Sequence, residues 1–201
     1  MNAGTLHRPE REPVAWGQSQ LNTCGPSCLM VALCELGLSD LSRATEMEIW
    51  KRVRHARVLG STPARLAGHA LSRGVETRLL ARSGPAPAVV PGRSPVQRLL
   101  HRYLFGVYSR TARDYRLRGL PFGEYREAAD IPGLLPPDMA AHAILLISDQ
   151  DEVLHFVLAR RVRTDLVVMD PSFGTNTRYE DKPFLAEFGP RMAGYCVLMS
   201  L

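Results

Sequence analysis

Four residues in this chain have the types and spacing that acyl chemistry needs: Gln18, Cys24, His155 and Asp170. Cys24 lies in the stretch QSQLNTCGPSCLMVALC, residues 18–34. Asn22 or Thr23 can cap a helix whose first turn holds Cys24, Gly25 and Pro26, and proline suits that turn because its missing N–H has no helical acceptor there. The unpaired N–H groups and macrodipole at a helix start stabilise a thiolate, which is the nucleophilic form of cysteine. Cys28 and Cys34 lie further into the same helix and read as small buried apolar residues.

A thiol nucleophile needs a base, the base needs an orienting partner, and the oxyanion needs donors. His155 sits near the start of the apolar run LHFVLA, and Asp170 ends the run LVVM and opens the turn DPSFG. Pairing these runs antiparallel across a turn near Thr164 puts the midpoint between Val162 and Arg163, so His155 and Asp170 come out nearly opposite. A carboxylate there fixes the imidazole tautomer and stabilises its cation. Gln18, six residues before Cys24, can donate its side-chain amide to an oxyanion alongside the backbone N–H of Cys24. Gln20 competes for that role, and spacing does not separate the two.

The elements that must position these groups fall into a helical front half and a β-rich back half, which makes one α+β domain over residues 1–201. After a charged, proline-bearing arm at 1–16, the Cys24 helix shows an apolar stripe of Leu29, Met30, Ala32, Leu33 and Leu36, stopped by Gly37. Residues 45–57 predict a second helix with Met47, Ile49, Trp50 and Val53 inward. Ser61 or Thr62 caps a third, with Pro63 in its first turn and Gly74 at its end, and residues 75–81 read as a strand. Residues 83–137 read as an insertion. It begins proline-rich and contains a basic amphipathic helix whose core-facing stripe is Val96, Leu99, Leu100, Tyr103, Leu104 and Val107. Its breaker-rich end, 121–137, reads as loop that could cover a site. Strands follow at 142–148, 153–160, 166–169 and 195–200, with a polar turn at 149–152.

Composition excludes several classes. With 45% hydrophobic and 22% charged residues, the chain has the make-up of an ordinary globular domain. No apolar run reaches the ~20 residues that span a bilayer, and the start lacks a secretory signal core. The default location is cytoplasmic, with signal-independent export open. Four cysteines, three of them within residues 24–34, form no disulfide framework and no metal-ligand spacing, so no metal or cofactor is expected. Seven arginines against one acid lie between Arg93 and Arg118, interleaved with aromatics. An amphipathic helix with a solvated arginine face accounts for them, and nucleic acid is not the expected partner. The sequence is silent on oligomeric state.

The order Gln-x5-Cys-Gly-Pro-Ser, then His-Phe-Val, then Asp-Pro-Ser-Phe-Gly resembles the papain-like cysteine peptidases, and most the double-glycine leader peptidase family that trims bacteriocin precursors. In that family a glutamine lies six residues before a nucleophilic cysteine at a helix start, and a histidine and an aspartate come from adjacent strands. Gln18, Cys24, His155 and Asp170 match those positions one by one. The stretch GSTPARLAGHALSRGVETRLL also resembles the family's helix-turn-strand, whereas 83–137 has no counterpart in it. The resemblance implies a two-lobed fold, with a helical lobe carrying the nucleophile and an antiparallel β-sheet lobe carrying the histidine and aspartate. It implies a peptide or protein substrate cleaved through a thioester. The same order is similar to phytochelatin synthase, which implies acyl or peptidyl transfer as an alternative chemistry. A papain-like shell that only binds peptides is the third reading.

Overall fold

The computed structural model describes residues 13–56, 60–83, 94–137, 140–148 and 154–201. The first twelve residues of the arm, the proline-rich stretch 84–93 and the turn expected at 149–152 lie outside them. In chain order the elements are α1 (Cys24–Glu35), α2 (Arg43–Val53), β1 (Arg54–Ala56), β2 (Gly60–Ser61), α3 (Pro63–Ser72), β3 (Glu76–Arg82), α4 (Pro95–Leu117), β4 (Phe122–Tyr125) and a short α5 (Asp130–Gly133). Then come β5 (His142–Ser148), β6 (Leu154–Val162), β7 (Asp165–Asp170), β8 (Thr175–Tyr179), α6 (Asp181–Phe188) and β9 (Met192–Ser200).

Seven strands form one sheet in the order β4-β3-β9-β5-β6-β7-β8. Every neighbouring pair in it is antiparallel except β3–β4. A parallel pair needs a crossover, and α4 supplies it. The sheet has a core on each face. On one, Leu29, Met30 and Leu33 of α1 and Leu66 of α3 meet Phe156, Leu158 and Met169. On the other, Ile131 and Leu135 near α5 and Phe184 and Phe188 of α6 meet Leu145, Val157 and Val168. Covered on both sides, β5 reads as an unbroken apolar run rather than an alternating one.

Helix α1 is the centre of the helical layer. Every residue from Cys24 to Leu33 is buried, so it behaves as a core helix rather than one with a single apolar stripe. Thr23 takes the N-cap position without capping through its side chain. Its Oγ1 donates to Gln20 O at 3.0 Å instead. Ser42 caps α2 by accepting from Thr45 N. The helix therefore starts two residues earlier than the spacing predicts and ends at Val53, because 54–56 leave it to pair as β1. Thr62, the second of the two expected caps, starts α3.

Two expectations are corrected. The stripe assigned to the core in α4 faces outward at its N-terminal end, where Val96, Leu99 and Tyr103 are mostly exposed; its C-terminal members Leu104 and Val107 do pack on the core, together with His101, Tyr108, Ala112 and Tyr115. The crossover between β3 and β4 fixes the helix rotation, and this outweighs the apolar pattern of its first two turns. Residues 121–137 are also not a loop over a site. Residues 122–125 extend the sheet edge as β4, and Ile131 and Leu135 pack on the face opposite α1. Strand β8 and helix α6 have no forerunner in the sequence reading, since TNTRY is polar and DKPFLAEF is short.

Candidate active site

The N-terminus of α1 abuts the start of β6. Gly25 makes the approach possible: a Cβ there would collide with Ser61 Oγ and stand 3.1 Å from both Leu66 and Phe156. One turn on, Cys28 Sγ lies 3.5 Å from Phe156 O, so α1 is seated against the residue that follows His155. Cys28 is fully buried, and burial raises its thiol well above the usual range. All four cysteines are free thiols.

His155 is buried and links Cys24 to Asp170. Its Nε2 is 2.8 Å from Asp170 Oδ1, and Cys24 lies near enough for its side chain to act on the ring. With Nε2 directed at the carboxylate, Nδ1 is left for the thiol. Asp170 Oδ1 also accepts from Ser172 N at 2.9 Å, and Ser172 Oγ lies 3.4 Å from His155 Nε2. Burial disfavours the imidazolium, but the hydrogen bonds to Asp170 and Cys24 and the negative charge of both raise His155 to about 10. Burial works against the Asp170 carboxylate too, and His155 outweighs it, holding the pKa below the usual range. The carboxylate is a partner that keeps its charge.

Gln18 reaches the site through the backbone. Its N–H donates to Pro171 O at 2.7 Å, immediately after Asp170. The two loops touch at Gly17 and Gly174: a Cβ on Gly174 would stand 2.9 Å from Gly17 N, and Gly174 has φ +64°. That is a backbone region open mainly to glycine. The Oε1 of Gln18 is buried with no hydrogen-bond partner among the described residues. Gln20 is exposed, in the turn closed by Thr23. The structure thus joins Gln18, Cys24, His155 and Asp170 at one place and leaves Gln20 on the surface.

The residue that sequence reasoning missed is Glu46. Its side chain is fully buried beneath this loop and collects donors from it. Trp16 Nε1 donates at 3.0 Å, Ser19 N at 2.8 Å, Ser19 Oγ at 2.5 Å, Ser27 Oγ at 2.9 Å and Arg43 Nη1 at 3.1 Å. Burial opposes the charge, yet these bonds pull its pKa down to about 2. The helical pattern placed Met47, Ile49, Trp50 and Val53 inward and gave no reason to bury a carboxylate beside them. A second buried cluster fixes the start of the described chain. Glu35 accepts from Val14 N at 2.9 Å and pairs with His142 at 2.8 Å and Arg160 at 3.3 Å, while Arg160 donates to Val14 O at 3.0 Å. Residues 13–18 are therefore a strap, pinned at one end on β6 and at the other beside Asp170.

A buried helix presenting a cysteine at its start, set against a hairpin that presents a histidine and an aspartate, is the papain-like cysteine peptidase fold. The peptidase domain of Streptococcus ComA, a bi-functional ABC transporter involved in a quorum-sensing pathway, has a similar structure: 15% sequence identity and a TM-score of 0.52 over 94% of this chain and 98% of that one. The chain belongs to the Peptidase_C39 like family, whose model matches residues 15–182. No curated protein matches it in sequence.

Proposed function

We propose that this chain is a cysteine peptidase or amide hydrolase that cleaves a peptide or protein through a thioester on Cys24. The observation that carries the reading is the His155–Asp170 hydrogen bond at 2.8 Å, with Cys24 at the start of α1 near enough to His155 to favour its charged form. His155 takes the thiol proton on Nδ1, and Cys24 Sγ attacks the substrate carbonyl carbon. The negative charge passes to the carbonyl oxygen. There the backbone N–H of Cys24, which has no acceptor within the helix, and the side-chain amide of Gln18 are the donors.

As the tetrahedral adduct collapses, the imidazolium gives its proton to the departing amine nitrogen and the C–N bond breaks. Water then loses a proton to His155 and adds to the thioester. Collapse of that adduct breaks the C–S bond, releases the acid and returns the proton to sulfur. Throughout, Asp170 holds the ring through Nε2 and offsets its positive charge.

The test is alkylation by iodoacetamide at mildly acidic pH, read by intact-mass and peptide mass spectrometry. Cys24 is expected to react stoichiometrically and ahead of Cys28 and Cys34, and Cys24→Ala to abolish acyl-enzyme formation while the fold persists. A Cys24 no faster than an ordinary thiol rules the reading out.

A further inference from the structure

The net charge of this protein is concentrated on one helix. Helix α4 and Arg118 just after it hold six arginines against Asp114, a net of +5 that equals the formal charge of the whole chain. All six arginines are exposed. The same helix carries the corrected apolar stripe. Val96, Leu99, Leu100 and Tyr103 are 76%, 70%, 49% and 55% exposed, in a molecule whose other large apolar side chains are mostly inside. At about 100° per residue these four share one arc of α4, away from the arc that buries His101, Tyr108, Ala112 and Tyr115. Arg98 and Arg102 fall on the arc between, along one margin of the apolar strip.

The exposure values indicate the shape. A side chain lining a groove is shielded by the facing wall, whereas residues at these exposures stand clear as a ridge. Peptide partners generally dock in grooves or along sheet edges. Nucleic acid would use the arginines, but it would leave Val96, Leu99 and Leu100 in water, and stacking has only Tyr103 to use in this strip. A ridge of aliphatic and tyrosine side chains flanked by arginine suits the boundary between lipid headgroups and acyl chains. Among the described residues no helix is long and apolar enough to cross a membrane, so the attachment is to the surface.

We propose that the N-terminal half of α4 docks this protein onto an anionic lipid surface, with Val96, Leu99, Leu100 and Tyr103 entering the interface and Arg98 and Arg102 on the lipid phosphates. This reading is independent of the chemistry at Cys24. The experiment is co-sedimentation of the full chain with phosphatidylcholine vesicles with and without phosphatidylglycerol, at low and high salt.

The wild type is expected on the phosphatidylglycerol vesicles only, and to be released by salt. Arg98→Gln with Arg102→Gln should weaken binding about thirtyfold, at about 1 kcal/mol per arginine. Leu99→Ser with Leu100→Ser should weaken it at least as much. Both pairs are surface changes, and unchanged iodoacetamide labelling of Cys24 reports that the fold is kept. Absence of vesicle binding overturns the proposal, as does equal binding to neutral vesicles or full binding by the leucine variant. So does a concentration-dependent dimer that Leu99→Ser dissolves, because the ridge would then belong to a second copy of the chain.

Discussion

His155 and Asp170 are bonded diagonally rather than across from one another. The β6–β7 ladder pairs Leu158 with Met169. One step further sets Asp170 opposite Val157, two residues from His155. The shift of two keeps both side chains on one face, where a diagonal neighbour remains in reach of a long side chain. A slip of one residue would have sent them to opposite faces. The site thus depends on the parity of the hairpin register, which the turn at Arg163, with φ 57°, sets.

The first prediction concerns alkaline pH. His155 rises from its ordinary value to about 10 in the fold, so the stability it contributes is fully present below about pH 6.5 and is lost as pH climbs through about 10. Asp170→Asn removes the charge that supports the imidazolium and presents the wrong partner to Nε2. Denaturant titrations across pH should show the alkaline loss beginning at lower pH in the variant, and turnover should fall by roughly 10³ to 10⁴. An unchanged rate would remove Asp170 from its orienting role.

Gln18 and Gln20 should separate cleanly. Gln18→Ala is expected to lower kcat by about 10² to 10³ with little change in KM, the loss of an oxyanion donor. Gln20→Ala, at an exposed turn, should leave both parameters near wild type. Steady-state kinetics on any cleaved peptide decides it, and the reverse pattern would transfer the role to Gln20.

Glu46 gives a prediction at the acid end. Its pKa falls to about 2, so its contribution is present above about pH 4.5 and is lost as pH drops toward 2. Glu46→Gln replaces an acceptor with a donor facing Trp16, Ser19 and Arg43. Unfolding should show a loss of about 3 kcal/mol. Ser27→Ala, which deletes one of the donors, should cost about 1 kcal/mol.

Gly25→Ala tests the seating of α1. The added methyl meets Ser61 and Phe156 in a closed site, so a loss of about 1–3 kcal/mol is expected in chemical denaturation. Because α1 must shift to relieve the clash, Cys24 alkylation should slow as well. Gly68→Ala, where a Cβ meets nothing within 4 Å, is the control and should be neutral or slightly stabilising.

What the sequence determined by itself was local: a helix starting at Cys24, a cap for α3 at Ser61 or Thr62, and the strands carrying His155 and Asp170. Turn residues, proline positions and apolar runs act over a few neighbours, so they can be read from spacing. Tertiary structure decided what depends on packing between distant segments. It placed Gln18 beside the His155–Asp170 pair by tying the strap to Pro171 and left Gln20 exposed, buried Glu46 because donors from residues 16–27 converge on it, and rotated α4 so that part of its apolar stripe faces water. It also placed β4 in parallel beside β3, an arrangement that a four-residue FGEY does not announce. Each of these follows from the space and hydrogen-bond partners that other elements leave, and no window of the sequence contains that information.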